Sequence, residues 1–214
     1  GMGVAGLLAD LVASGDGVTA SEHTCTETHG EATWAGGVAV ACRDGVLLLD
    51  RDGVTWRARP VAYPAVDDTD PYAYGPARAW VLQPSEDGST LVAPLGARHV
   101  LVLDAATGAA RAIDLGVGVA TFGVAYLDHD RLVVLGTDGA MRTLDLTTDA
   151  ASDPTPVLGA FEEGEDLPYR MVVVSADRVY VSDPPGRRVL ELDASGPLRQ
   201  ARELAFDASP GYLT

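Results

Sequence analysis

Four short stretches constrain this chain more than anything else in it. Val46-Leu47-Leu48-Leu49-Asp50, Val100-Leu101-Val102-Leu103-Asp104, Met141-Arg142-Thr143-Leu144-Asp145 and Val189-Leu190-Glu191-Leu192-Asp193 each carry an extended run into an aspartate. The aspartates are spaced by 54, 41 and 48 residues. Each opens a turn, and Gly53, Gly108 and Gly196 follow three of them. Aspartate accepts a bond from the backbone two residues on, and glycine supplies positive φ, so these are hairpin signals.

About four strand candidates surround each aspartate. In the second unit they are Ala79–Leu82, Thr90–Ala93, His99–Asp104 and Ala110–Ile113. The third unit runs through Thr121–Leu127, Arg131–Leu135 and Ala140–Asp145 to a proline-containing stretch ending at Leu158. The fourth gives Met171–Ser175, Arg178–Ser182, Arg188–Asp193 and Arg199–Phe206. Four short antiparallel strands per repeat of this length predict an all-β fold, a β-propeller of about four four-stranded blades. Leu132-Val133-Val134-Leu135 is apolar at every position, as a strand in a sheet covered on both faces must be. A β-sandwich with long irregular loops is the competing architecture.

Residues 4–214 are read as a single propeller or partial propeller domain. Gly1-Met2-Gly3 reads as a tag scar or disordered lead. Residues 4–24 predict an N-terminal partial blade of two strands around Ser14-Gly15-Asp16-Gly17, although Leu7–Val12 also suits a short helix. Such a blade set exposes sheet faces unless the termini close the ring or two copies pair as a homodimer.

Composition narrows the function. The chain of 214 residues is 47% hydrophobic and 21% charged, which excludes disorder. All basic residues are arginine, 15 against 31 acidic, and the net charge of −16 repels nucleic-acid phosphates. No apolar run approaches a membrane span, and no signal sequence is visible before Leu7. The two cysteines, Cys25 and Cys42, permit a disulfide and hence an oxidising, periplasmic or extracellular compartment; a pair of buried free thiols is the alternative.

Propeller topology sorts positions by face. Loops joining the second and third strands of a blade, and the fourth strand to the next blade, share the top. His29 and His99 fall on the top face, and His129 on the bottom. Cys25 and Cys42 end strands on the top, so pairing them is geometrically sensible and would tie down the segment carrying His29.

The stretch Cys25-Thr26-Glu27-Thr28-His29-Gly30-Glu31-Ala32, followed by Cys42-Arg43-Asp44-Gly45-Val46-Leu47, resembles the AztD-like zinc metallochaperone propellers. The resemblance is specific over about 25 residues and diffuse over the remaining blades. It implies a periplasmic or secreted propeller that binds zinc and delivers it to a zinc importer's solute-binding protein. His29 is the residue it carries over. Members of that family are longer and often carry a histidine-rich segment, so the present chain looks like the C-terminal part of one or a shortened relative.

Zinc takes three or four N, S or O ligands. His29, His99 and Glu31 are the expected set, with Asp44 or Asp138 as other carboxylates. Opposed to this, His29 packs structurally around the Gly30 turn and His99 is a strand-edge residue. Arg78 and Arg170 stand before inner strands, as anion clamps or as inter-blade ion pairs. Phe161-Glu162-Glu163-Gly164-Glu165-Asp166 is an acidic top loop. Asp67-Asp68-Thr69-Asp70 lacks the rest of a calcium loop. No Gly-x-Ser-x-Gly, phosphate-binding loop or dinucleotide fingerprint occurs, and a non-enzymatic role is expected. The alternative to zinc delivery is a metal-free protein-interaction propeller.

Overall fold

The computed structural model describes residues 23–53, 55–72, 74–164, 166–210 and 213. The lead of residues 1–3 and nearly all of the expected partial blade lie outside them. The described residues form strands and turns only, and none of them forms a helix long and apolar enough to cross a membrane.

Among the described residues, seventeen strands make four antiparallel sheets in strict chain order, one per repeat. Blade 1 comprises β1 (His29–Trp34), β2 (Gly37–Ala41), β3 (Gly45–Asp52) and β4 (Thr55–Ala62). Blade 2 comprises β5 (Gln83–Pro84), β6 (Thr90–Leu95), β7 (His99–Asp104) and β8 (Ala110–Asp114). Blade 3 has β9 (Val119–Tyr126), β10 (Arg131–Gly136) and β11 (Ala140–Asp145), with a fourth strand split into β12 (Ala150–Ala151) and β13 (Thr155–Pro156). Blade 4 has β14 (Val172–Ser175), β15 (Arg178–Asp183), β16 (Arg188–Asp193) and β17 (Arg199–Ala205). Three of the repeated aspartates, Asp104, Asp145 and Asp193, end the third strand, and Asp50 lies two residues before the end of β3. Asp104 takes the Thr107 amide at 2.7 Å and Asp145 the Thr147 amide at 2.8 Å, which closes each hairpin.

The chain is an all-β propeller arc, with its blades packed face to face. β10 shows why a propeller strand is apolar at consecutive positions. Leu132 and Val134 face blade 2, in a cluster with Val92, Val100 and Val102. Val133 and Leu135 face blade 4, against Val179, Val181 and Leu190. Blades 1 and 2 close on Ala39, Leu48, Leu91 and Leu101. Each such leucine contributes about 1.5–3 kcal/mol by leaving water. Among the described residues, a parallel bridge from Phe122 to Met171 joins the inner edges of blades 3 and 4. No described strand of blade 4 pairs with blade 1.

Two elements depart from the sequence expectation. In blade 2 the inner strand was expected over Ala79–Leu82, but the ladder begins only at Gln83, after an isolated bridge from Ala79 to Leu95. Residues 80–82 are pulled out of register by the contacts of Trp80 with blade 1, described below. In blade 3 the outer strand breaks at Asp153-Pro154, because proline has no amide to give the ladder and is tolerated only at an edge.

An arginine strap recurs between blades. Arg59 of β4 stands opposite Leu48, two residues before the repeat aspartate Asp50. Its Nε donates to Asp50 at 3.1 Å, and its Nη2 crosses to the Ala105 carbonyl of blade 2 at 2.6 Å. Arg111 of β8 stands opposite Val102, two residues before Asp104. It reaches the Leu146 carbonyl of blade 3 at 2.6 Å. In both cases the acceptor is the residue after the next blade's aspartate.

Candidate functional site

The top of the arc, where the inner strands begin, gathers most of the unusual side chains. The segment before β1 is held from three sides. Cys25 and Cys42 form the expected disulfide, with Cα atoms 5.2 Å apart, although Cys25 lies in no described strand and only Cys42 directly follows one, β2. The Arg43 amide donates to the Thr26 carbonyl at 2.9 Å. Glu27 accepts from Arg43 and from Arg78, each at 2.8 Å, and Arg78 also bonds the Glu27 carbonyl at 3.0 Å. The two guanidinium groups hold the Glu27 carboxyl below its ordinary value against the opposing pull of desolvation.

His29 follows on β1. Its ring lies 4.2 Å from the Trp80 ring of blade 2, tilted by 49°. The Arg78 guanidinium sits 4.5 Å from the same indole. Trp80 Nε1 donates to Asp70 at 2.8 Å, and Asp70 lies 3.8 Å from Arg78 Nε. Arg78 and Asp70 are each only 3% exposed, so this ion pair is desolvated and its geometry is fixed by the surrounding bonds.

Burial and the Arg78 charge lower the His29 pKa from its ordinary 6.5, while Asp70 and Glu27 pull the other way. A lowered histidine pKa favours the neutral ring in the folded state. Its contribution to stability is therefore complete above about pH 6.5 and is lost as pH falls through the lowered value. The expected result is a drop in melting temperature from about pH 7.5 to about pH 5.5 that is smaller in His29→Gln. Equal drops in the two proteins would refute the assignment.

Gly30 explains the His-Gly-Glu spacing. Its φ is +63°, and a Cβ there would stand 2.8 Å from both the Trp80 carbonyl oxygen and the Val81 Cα. It forms a bulge: His29 stands opposite Ala41, yet Glu31 stands opposite Val40. Ala41 faces blade 2 and Val40 faces the other side of blade 1. Cross-strand partners share a face, so the bulge separates His29 from Glu31 by the thickness of the sheet.

His99, at the start of β7, is 6% exposed. Its Nδ1 meets Asp68 at 3.0 Å, and its Nε2 lies 3.8 Å from Asp114. Far from being an exposed strand edge, it pins the loop before blade 2. Asp68 also takes the Arg98 amide at 2.9 Å, and these bonds hold its carboxyl below the usual range although desolvation opposes them. His129 is exposed in its expected turn, 3.9 Å from Asp87. Among the described residues, no three His, Cys, Asp or Glu side chains gather so as to hold a metal ion. His29, His99 and Glu31 are thus held in separate surroundings.

Sequence reasoning missed an aromatic tract across the same face. Tyr72 meets Trp80 edge-on at 4.9 Å and Tyr169 at 6.3 Å; Tyr169 meets Phe122 at 5.0 Å. The Tyr72 hydroxyl bonds Thr121 Oγ1 at 2.8 Å, and Thr121 donates to Glu163 at 3.0 Å. Burial raises the Glu163 pKa, and the two Thr121 bonds oppose the rise. Arg170 lies 4.1 Å over the Phe161 ring, and its charge also opposes the rise at Glu163. The tyrosines lie in loops with no periodicity, so no pattern in the chain announces their convergence.

No family model matches the chain, and no curated protein matches it. Solved structures do. The apo structure of AztD from Citrobacter koseri is 19% identical, with a TM-score of 0.73 over 90% of this chain and 51% of that one. A second Citrobacter koseri AztD structure gives 18% identity and a TM-score of 0.75, over 90% of this chain and 50% of that one. The RRP9 WD40 repeats give 12% identity and a TM-score of 0.60, over 89% and 55%. The present chain spans about half the length of these neighbours. At such identities the likeness is one of fold: the chain is a propeller arc similar in architecture to AztD and to WD40 repeats.

Proposed function

We propose that this protein is a non-enzymatic, extracytoplasmic propeller that carries zinc as cargo and passes it to a zinc importer's solute-binding protein, with His29 as the anchoring ligand. The observation that carries the reading is the state of His29. A disulfide and two arginines fix its segment, and burial beside Arg78 lowers its pKa, which favours the neutral imidazole that ligates zinc. The sequence resemblance around His29 and the AztD-like fold support the same reading. A disulfide suits an oxidising compartment. Glu27 and Asp70 supply negative charge beside the ring, and both are tied to Arg78. A cargo ion held by few protein ligands exchanges readily, which suits transfer rather than storage.

The second reading is a metal-free protein-interaction propeller. It is favoured by the aromatic tract, which Tyr74 extends at 5.8 Å from the Trp80 ring while 45% exposed.

Zinc titration of chelator-stripped protein against a chromophoric competitor separates the two. Tight stoichiometric binding is expected, weakened at least about tenfold in His29→Ala, the loss of one ligand bond of about 1.4 kcal/mol or more. No competition with the chromophore, or binding indifferent to His29→Ala, rejects zinc carriage through this site and leaves the interaction reading.

A further inference from the structure

Among the described residues, the large apolar side chains left exposed are Tyr74, Leu167 and Phe206. The first two stand at the tips of two top-face loops that touch. The first loop is a tight hairpin. Thr69 bridges Pro76, the Asp70 amide donates to the Gly75 carbonyl at 3.1 Å, and the Asp70 carboxylate takes the Tyr72 amide at 2.7 Å. Tyr74 projects from it and meets Trp80 at 5.8 Å. The second loop turns where the Leu167 amide donates to the Gly164 carbonyl at 3.0 Å, and Leu167 is 43% exposed.

The two loops are held together below their tips. The Tyr72 and Tyr169 rings meet edge-on at 6.3 Å, and bonds run from Tyr72 through Thr121 of β9 to Glu163. An isolated exposed apolar residue needs no explanation, but two on one connected tract of rings mark an interaction surface. Their turns are fixed by backbone bonds, so docking on them orders little further chain.

The rim of this tract carries one sign of charge. Asp67 precedes the first tip, and Glu162 and Asp166 flank the second. All three are exposed, and none has an ionic partner among the described residues. The arginines of the face are engaged elsewhere: Arg43 and Arg78 on Glu27, Arg98 on Asp114, and Arg170 over Phe161. An acidic rim repels lipid and nucleic-acid phosphates and attracts lysine and arginine, and tyrosine faces also favour a cation.

We propose that Tyr74 and Leu167 anchor a docking surface for a partner protein that presents apolar side chains among lysines and arginines, with Asp67, Glu162 and Asp166 selecting its basic groups. Aromatic and aliphatic anchors supply most of the affinity of such a surface, and the charged rim supplies partner choice and association rate. The proposal rests on the interaction reading; a carrier that hands cargo to another protein needs a docking surface as well. Zinc titration decides between those readings. The experiment on this surface is run in chelator, so the two fail separately.

The probe is a dye-labelled peptide with leucines set among lysines and arginines, titrated with the whole protein by fluorescence polarisation. One twin has serine for every leucine, and another has glutamate for every basic residue. Saturable binding of the parent peptide is expected, with each twin at least about tenfold weaker. Tyr74→Ser with Leu167→Ser should weaken the parent peptide at least about tenfold, as truncating two anchors does, at unchanged melting temperature because both side chains are exposed. Glu162→Gln with Asp166→Asn should weaken it and flatten its salt dependence. Glu86→Gln with Asp130→Asn removes the same charge from exposed turns on the bottom face and should change the affinity less than about twofold. No binding of the parent peptide overturns the proposal. Equal binding of the serine twin also overturns it, because net charge alone would then explain the effect. So does an affinity indifferent to both top-face double variants, or one lowered as much by the bottom-face pair.

Discussion

Replacing Cys25 and Cys42 together by serine is expected to cost about 3 kcal/mol of unfolding free energy and to weaken the zinc binding proposed above without removing the β-structure. The disulfide closes a loop over a sequence separation of 17 residues. Closing a loop near that length removes about 3 kcal/mol of chain entropy from the unfolded state. The site effect follows from the absence of any strand before His29 among the described residues. Besides the disulfide, the Thr26 backbone bond and the arginines on Glu27 hold the segment from Thr24 to Thr28. Those arginine contacts reach an exposed carboxylate, and exposed ion pairs contribute little on their own. Denaturant unfolding of the double variant beside the wild type gives the first number, and the competitor titration gives the second. Unchanged zinc affinity in a destabilised protein would mean that β1, the Trp80 ring and the arginines hold His29 without the disulfide.

Gly30→Ala is the second large effect, with an expected loss of about 1–3 kcal/mol from backbone strain and a further loss from crowding. Two causes act at once. A φ of +63° is disfavoured for any residue with a Cβ, and here the new Cβ meets backbone atoms at 2.8 Å rather than a side chain that can turn away. Relief requires either removal of the bulge or a shift of blade 2. Removing the bulge slips β1 by one position and carries His29 away from Trp80. The variant should therefore melt lower and also lose the pH response assigned to His29. A Gly30→Ala protein with wild-type melting would show that the bulge is free to relax.

The repeat was legible because its information is local. A hairpin needs an aspartate or glycine at a fixed place, and a strand covered on both faces needs apolar residues in succession; Leu132–Leu135 and Asp104 meet these requirements within a few positions. The pairing of Cys25 with Cys42 was expected from strand ends that share a face; Cys42 directly follows β2, but Cys25 lies in no described strand, and the disulfide joins the segment before β1 instead. The inner strand of blade 2 was misread. Ala79–Leu82 has the composition of a strand, but Trp80 is engaged by His29 and Asp70 of other segments.

The site divides along the same line. Sequence alone determined the blade repeat, the top-face position of His29, and the presence of His99 and Glu31 nearby in the topology. Only the tertiary structure decided which of these residues meet. Spacing by two places His29 and Glu31 on one face of a regular strand. The backbone of blade 2 presses on Gly30, and the resulting bulge turns them to opposite faces. Asp68 and Asp114, respectively 31 and 15 residues from His99 in sequence, enclose that histidine. Such contacts arise from packing between blades, and that information is carried by no single segment of the chain.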